Sequence, residues 1–265
     1  RNLPEGTRYE VIIEAADGYT YVIDGEEGII RTGTNEAEFT ATRTVPLADP
    51  SVTGVSRWLN VTDHIAYLTG YPTGGFGPDN SMTRAEVAQM FYALLNNKNV
   101  TITKTFPDVP SGAWYATAVN TLASLGMVSG DENGNYRPDA PITRAEFCAI
   151  ALAFAYEPEN AVCYFTDVAR GDWFYPYVAQ AASYGWIGGY TDGSFGPNQQ
   201  ITRAQVTTIV NNMLGRVADR DYVIDHQNTL VQFNDLTRAH WAYFQIMEAT
   251  NAHDYTKANG AENWF

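Results

Sequence analysis

From Leu59 onward apolar residues recur at helical spacing. After Trp114 they fall at Val119, Leu122, Ala123 and Leu125, the i, i+3, i+4 pattern of an amphipathic helix, with Gly126 positioned to end it. A second stretch, Arg144 to about Phe154, places Phe147, Ile150, Ala151 and Phe154 on one stripe. Residues 1–48 have a different texture. The runs Tyr9–Ala15 and Tyr19–Ile23, separated by Asp17-Gly18, predict a β-hairpin, and Glu38–Val45 adds a further alternating run. The expected architecture is therefore mainly α, preceded by a small antiparallel β region (1–48) that could be the end of an immunoglobulin-like domain. A linker over 49–58 follows, flanked by Pro46 and Pro50, and then a helical domain over 59–265.

The helical part is repetitive. A turn-rich run leads into a Thr-Arg-Ala-Glu/Gln stretch three times: Gly74–Asp79 before Thr83–Glu86, Gly134–Asp139 before Thr143–Glu146, and Gly193–Asn198 before Thr202–Gln205. Such a period means repeated supersecondary units. Each turn-plus-helix half is matched by a half that opens on Phe-x-Asp and reaches a tryptophan eight residues after the phenylalanine: Phe106 to Trp114, Phe165 to Trp173, Phe233 to Trp241. The two series are out of step. Repeats at about 59–100, 101–160 and 161–218 leave a half-repeat at 233–255 without a Thr-Arg-Ala stretch, while the first repeat has only an abbreviated opening at 59–68. The orphan half is expected to pack beside the first repeat and close a pseudo-threefold arrangement, because each unit needs a neighbour to bury its apolar face.

Thr-x-x-Glu or Thr-x-x-Gln before an apolar helix is a capping box. Thr83 with Glu86, Thr143 with Glu146 and Thr202 with Gln205 are accordingly assigned to helix starts. Gly74, Gly134 and Gly193 fit positions needing positive φ, and Phe76, Tyr136 and Phe195 fit core plugs. The arginine is left over. Capping does not need a cation at the first helical position, and the helix dipole opposes one there. Arg84, Arg144 and Arg203 could therefore combine a planar guanidinium with helix amides to hold a carboxylate or phosphate; an ion pair with Asp79 or Asp192 is the plainer explanation.

Composition bounds the partners. With 45% hydrophobic and 17% charged residues, the chain of 265 residues has the material for a folded core. A net charge of −14 disfavours nucleic acid and anionic membranes. No apolar run approaches a membrane span, and the opening on Arg1 reads as the C-terminal piece of something longer. Cys148 and Cys163 suit either a disulfide or two free thiols. His64, His226, His240 and His253 show no metal-ligand spacing, the run from Asp131 lacks the glycine and glutamate of an EF-hand, and no nucleophilic triad or phosphate-binding loop appears. No cofactor, metal site or catalytic residue is assigned. Asn60-Val61-Thr62 and Asn99-Val100-Thr101 fit the glycosylation acceptor pattern.

Phe-x-Asp-Val…Trp, Gly-Tyr-Thr-Asp-Gly-Ser-Phe-Gly-Pro (189–197) and Ile-Thr-Arg-Ala-Glu (142–146) together resemble the S-layer homology (SLH) motif, and three tandem copies resemble a complete SLH domain over about 59–255. The resemblance implies a three-pronged helical trimer of motifs around a central bundle. It also implies non-covalent attachment of exported proteins to secondary cell-wall polysaccharide, commonly pyruvylated, in grooves between the prongs. It makes the motif arginine a principal ligand contact, and so points to Arg84, Arg144 and Arg203. The copies differ in their loops. The loop aspartate persists only as Asp192, with Asn133 and Thr73 in its place elsewhere, so the grooves are expected to be unequal, with Arg203 foremost. Tyr71 and Tyr190 offer faces for a sugar ring; Asp131, in the same place, does not. The expected role is cell-wall anchoring at the surface of a Gram-positive-type envelope, without catalysis, membrane insertion or nucleic acid. An anchoring part of an exported glycan-acting enzyme and a self-associating surface-layer module are the alternatives.

Overall fold

The computed structural model describes residues 8–10, 19–24, 27–29, 38–43, 47–157, 160–258 and 261–265. Four strands lie in the N-terminal region: β1 (Arg8–Glu10), β2 (Tyr19–Asp24), β3 (Glu27–Ile29) and β4 (Glu38–Arg43). They form two antiparallel pairs, β1 with β3 and β2 with β4. The hairpin expected between the runs at 9–15 and 19–23, with its turn at Asp17-Gly18, falls largely on residues 11–18, which lie outside the described residues. β2 and β4 are both alternating six-residue stretches and pair throughout, from Tyr19 opposite Arg43 to Asp24 opposite Glu38.

Eight helices follow among the described residues: α1 (Pro50–Thr53), α2 (Arg84–Leu94), α3 (Ala116–Ser124), α4 (Arg144–Leu152), α5 (Tyr175–Ser183), α6 (Arg203–Leu214), α7 (Arg220–Asp225) and α8 (Tyr243–Thr250). A terminal hairpin of β5 (Tyr255–Ala258) and β6 (Ala261–Trp264) completes the chain. The segment expected as an extended linker instead folds onto this body. Asp49 caps α1, whose first residue is Pro50, and Val55 and Leu59 are fully buried, because a stretch with apolar anchors gains more from burial than from staying extended. Helices pack in three pairs: α2 against α3, α4 against α5, and α6 against α8. The stripe read from the sequence is the core, with Phe91 stacked on Phe147 and Phe154. Gly126 ends α3 at φ +80°, with the Met127 N–H reaching back to the Leu122 carbonyl. Both cysteines are free thiols, and burial pushes that of Cys148 up to about 12.

The centre is a ring of backbone bonds. The Met82 N–H donates to the Ile201 carbonyl, Ile201 to Ile142, and Ile142 back to Met82, each at 3.0 Å. All three side chains are fully buried. Around this ring every unit is built alike. The phenylalanine of Phe-x-Asp lies so close under a glycine that a Cβ would meet its ring: Phe106 under Gly130, Phe165 under Gly189, Phe233 under Gly70. The aspartate two residues on accepts two consecutive loop N–H groups. Asp108 takes those of Tyr136 and Arg137, Asp167 those of Phe195 and Gly196, and Asp235 those of Phe76 and Gly77, at 2.6–2.8 Å.

The third of these sets joins residue 235 to residues 76 and 77, so the C-terminal half-repeat completes the first unit and the pseudo-threefold ring closes through it. The abbreviated opening at 59–68 has no need of a Phe-x-Asp of its own. Replacing Asp235 by alanine should lower the unfolding free energy by about 2 kcal/mol, since two amides lose a charged acceptor. Asp108→Ala and Asp167→Ala should cost a similar amount in urea unfolding. Unchanged stability for Asp235→Ala alone would show that the C-terminal half does not hold the first loop.

Candidate functional site

All three capping boxes are formed. Thr83, Thr143 and Thr202 each accept the N–H of the third helical residue, and Glu86, Glu146 and Gln205 return to the cap N–H at 2.8, 2.8 and 3.2 Å. The first two helical amides are also engaged, by the neighbouring unit. Arg84 and Ala85 donate to Ala140 and Pro138, Arg144 and Ala145 to Gln199 and Pro197, and Arg203 and Ala204 to Asn80 and Pro78. These helix starts therefore have no amides left to share with an anion, contrary to the sequence-based expectation.

The arginine side chains follow the same cyclic order. Arg84 Nε and Nη2 donate to Tyr136 O (2.7 Å) and Ser129 O (2.8 Å). Arg144 donates to Phe195 O and Gly188 O, and Arg203 to Phe76 O (2.8 Å) and Thr69 O (2.7 Å). Each guanidinium thus ties its own helix to the next loop. The ion pairs with Asp79 and Asp192 are not formed: Asp79 lies 3.6 Å from His240 Nε2, and Asp192 folds back on Ser194, whose hydroxyl and N–H hold its carboxyl below the usual range.

Aromatic rings separate the three arginines. Arg203 lies over both Tyr71 (4.7 Å) and Phe76 (4.5 Å), and Arg144 over both Tyr190 (5.1 Å) and Phe195 (4.5 Å). Both are about 95% buried. Arg203 also has Glu86 Oε1 3.5 Å from Nη1, and Tyr71 Oη reaches the same carboxylate. Tyr71 and Tyr190 are therefore lids on guanidinium groups. In the second repeat Asp131 stands where the tyrosine would be, and Arg84 stacks on Tyr136 (4.6 Å) and remains half-buried. Thr73, Asn133 and Asp192 lie on exposed loop tips, with the Thr73 carbonyl taken by Asn234 and the Asn133 N–H by Asp131.

Three segments, 67–88, 105–148 and 164–207, match the S-layer homology domain. The chain is 33% identical over 213 residues to the cellulosome-anchoring protein of Acetivibrio thermocellus, a match covering 76% of this chain and 45% of that protein. It is 30% identical over 207 residues to cell surface glycoprotein 1 of the same organism (73% of this chain, 9% of that protein). It is also 36% identical over 146 residues to the amylopullulanase of Thermoanaerobacterium thermosulfurigenes (52% and 8%). These three segments belong to the S-layer homology family. The chain spans less than half the length of these relatives.

The SLH repeats are unequal because of that one missing lid. Beside Arg84 lies a groove of about 810 Å³, between the 131–137 loop of the second SLH repeat and the helices α4 and α5. It is lined by three guanidinium groups (Arg57, Arg84, Arg137), by the carboxylates of Asp131, Glu146 and Glu157, and by Trp58, Tyr136, Trp173 and Tyr177. Arg137 is the only non-glycine residue at positive φ among the described residues (+57°); the sister loops have Gly77 (+64°) and Gly196 (+69°) there. A left-handed conformation costs a residue with a Cβ about 1–2 kcal/mol. The side chain is exposed, and Arg137 Nε is 3.9 Å from Asp131.

Sequence reasoning missed Arg57, Arg137, Trp58 and Trp173, although two signals were present. Arginine replaces a loop glycine in one SLH copy only. The three periodic tryptophans, Trp114, Trp173 and Trp241, are each about 60% exposed, so the period that preserves them is not explained by the core. The burial of the arginines generates a stability ranking. Arg144→Ala and Arg203→Ala should lose about 3 kcal/mol, through unsatisfied carbonyls and a lost cation between two rings, and Arg84→Ala only about 1–2 kcal/mol. Urea unfolding of the three variants checks the order.

Proposed function

We propose that the chain anchors an exported protein at the cell surface, without covalent linkage, by binding an anionic cell-wall polysaccharide in the groove beside Arg84. The observation that carries this reading is the concentration of three guanidinium groups and several aromatic faces in one groove of a chain whose net charge is −14. A planar guanidinium matches a carboxylate in a bidentate fork, and a flat aromatic ring covers the apolar face of a sugar while its polar edge stays wet. Arg84 is held by Nε and Nη2, which leaves Nη1 for a ligand. Arg137, on a strained backbone, supplies a second cation on the loop. Carboxylates such as Asp131 and Glu146 can accept from sugar hydroxyls.

In this reading Arg84 takes precedence over Arg203 and Arg144, whose groups are covered by Tyr71 and Tyr190. The relatives support anchoring at the cell surface: one is named for anchoring the cellulosome and another as a cell surface glycoprotein. The match to an amylopullulanase is to a small share of that enzyme, which fits a module attached to different working parts and carrying no catalysis itself. Pyruvate ketals on the wall polymer would provide the carboxylate that the groove is built to meet.

The most informative variant is Arg137→Gly, because it restores the residue found in the sister loops and relieves the backbone. It should unfold at an equal or higher urea concentration than the wild type, and yet bind purified cell-wall polysaccharide at least tenfold more weakly. Arg84→Ala should show a similar loss, and wild-type binding should weaken as salt rises. Equal retention of wild type, Arg137→Gly and Arg84→Ala on the polymer would overturn the assignment of this groove.

A further inference from the structure

Two histidines without metal spacing in the chain meet in space. His64 comes from the abbreviated opening of the first repeat and His253 follows α8; between them stand Glu248 of α8 and Glu262 of β6. One ligand atom from each of the four lies within 4.8 Å of all the others. The side chains of His64, His253, Glu248 and Glu262 are at most 3% exposed. We infer that His64, Glu248, His253 and Glu262 form a four-coordinate structural site for a divalent zinc ion, independent of the glycan groove.

The first argument is a shortage of donors. Neither oxygen of Glu248, nor Oε2 of Glu262, accepts a hydrogen bond. His253 donates Nδ1–H to the Asn251 carbonyl (2.9 Å), which leaves its Nε2 as a lone pair facing inward. Four acceptors therefore surround one available ring nitrogen, His64 Nδ1. The nearby cations do not fill the gap. The Arg216 guanidinium donates to the Asp63 and Ile65 carbonyls, and Lys257 donates to the Gly215 carbonyl, 3.9 Å from Glu262 Oε1. Buried carboxylates left in this state are costly, and a dication facing them removes the cost.

The second argument is geometric. His64 Nδ1 lies 2.9 Å from His253 Nε2, 3.2 Å from Glu248 Oε1 and 3.4 Å from Glu262 Oε2, and His253 Nε2 lies 3.6 Å from Glu248 Oε2. A tetrahedron with zinc-to-ligand arms of about 2.0–2.1 Å has edges of about 3.3–3.4 Å, close to the distances from His64 Nδ1 to the two carboxylates, and with one ligand atom taken from each residue every pair lies within 4.8 Å. The supporting shell is also present. The Asn251 carbonyl fixes the His253 tautomer, as ligating histidines require. Tyr255 stacks on His64 (3.8 Å) and Trp264 on His253 (3.6 Å), holding both ring planes. Two imidazoles with two carboxylates favour zinc over calcium, which takes six to eight oxygens. The ion would join residue 64 to α8 and the β5–β6 hairpin, on the side of the ring that Asp235 closes.

The test uses the full chain, stripped with a chelator and titrated with zinc chloride in a calorimeter. One zinc per chain is expected, with a rise in melting temperature of about 5–10 °C once free zinc reaches a hundred times Kd. Calcium should produce neither effect. Cobalt(II) in place of zinc should give the strong visible absorption of a tetrahedral ion. Glu248→Gln and His253→Gln should each weaken zinc binding by roughly 100-fold or more. Glu248→Gln also separates the two accounts of the cluster: without a metal it removes an unpaired buried carboxylate and leaves the melting temperature equal or higher, whereas here it abolishes the zinc-induced rise. A stripped wild-type chain that takes up no zinc, a six-coordinate cobalt spectrum, or undiminished binding by a folded Glu248→Gln chain would each overturn the site.

Discussion

An aspartate carboxylate that accepts two consecutive backbone N–H groups from a loop is made three times in this fold, by Asp108, Asp167 and Asp235. The loop it holds carries the carbonyl that receives the preceding unit's arginine, and the carbonyls that receive the first amides of that arginine's helix. The aspartate therefore fixes the loop, the loop fixes the start of the neighbouring helix, and the helix returns through the Met82, Ile142 and Ile201 bonds to the next unit. Each unit's arginine and first two helix amides are received by another unit, and the set balances only because residues 233–255 stand in for an opening that the first repeat lacks.

This interdependence explains why burial and exposure divide the repeated residues as they do. The cap threonines, the glycines at 74, 134 and 193, and the phenylalanine and aspartate of Phe-x-Asp serve the ring and keep one identity in all copies. The aromatic position after the loop glycine is not needed for closure and can vary. Where it is tyrosine, the guanidinium is sandwiched and leaves solvent; where it is Asp131, one face of Arg84 is uncovered and a groove opens toward Arg137, Trp58 and Trp173. The asymmetry thus arises at positions outside the ring's own bonding.

Much of the architecture was legible in the sequence, because it is expressed as local periodicity. Capping boxes, the helical stripes around Val119 and Phe147, and the out-of-step halves that required closure all depend on short spacings. What was not legible depends on contacts across the ring. The first amides of the helices that begin at Arg84, Arg144 and Arg203 are engaged by residues more than 50 positions away, so their unavailability to an anion leaves no local mark. His64 and Glu248 are likewise separated by most of the helical domain, and metal-ligand spacing is uninformative when ligands come from opposite ends of a closed ring.

The tyrosine lids have a consequence for valency. With two of the three motif guanidinium groups covered, the domain leaves one motif arginine uncovered, so under the proposed function a single molecule would grip a single stretch of polymer and would not bridge two strands. Retention of such a molecule would then be governed by the dissociation rate of one contact. Rebinding before escape, the benefit of linked contacts, would then have to arise from many copies standing side by side on the same surface, and holding strength would become a property of their density.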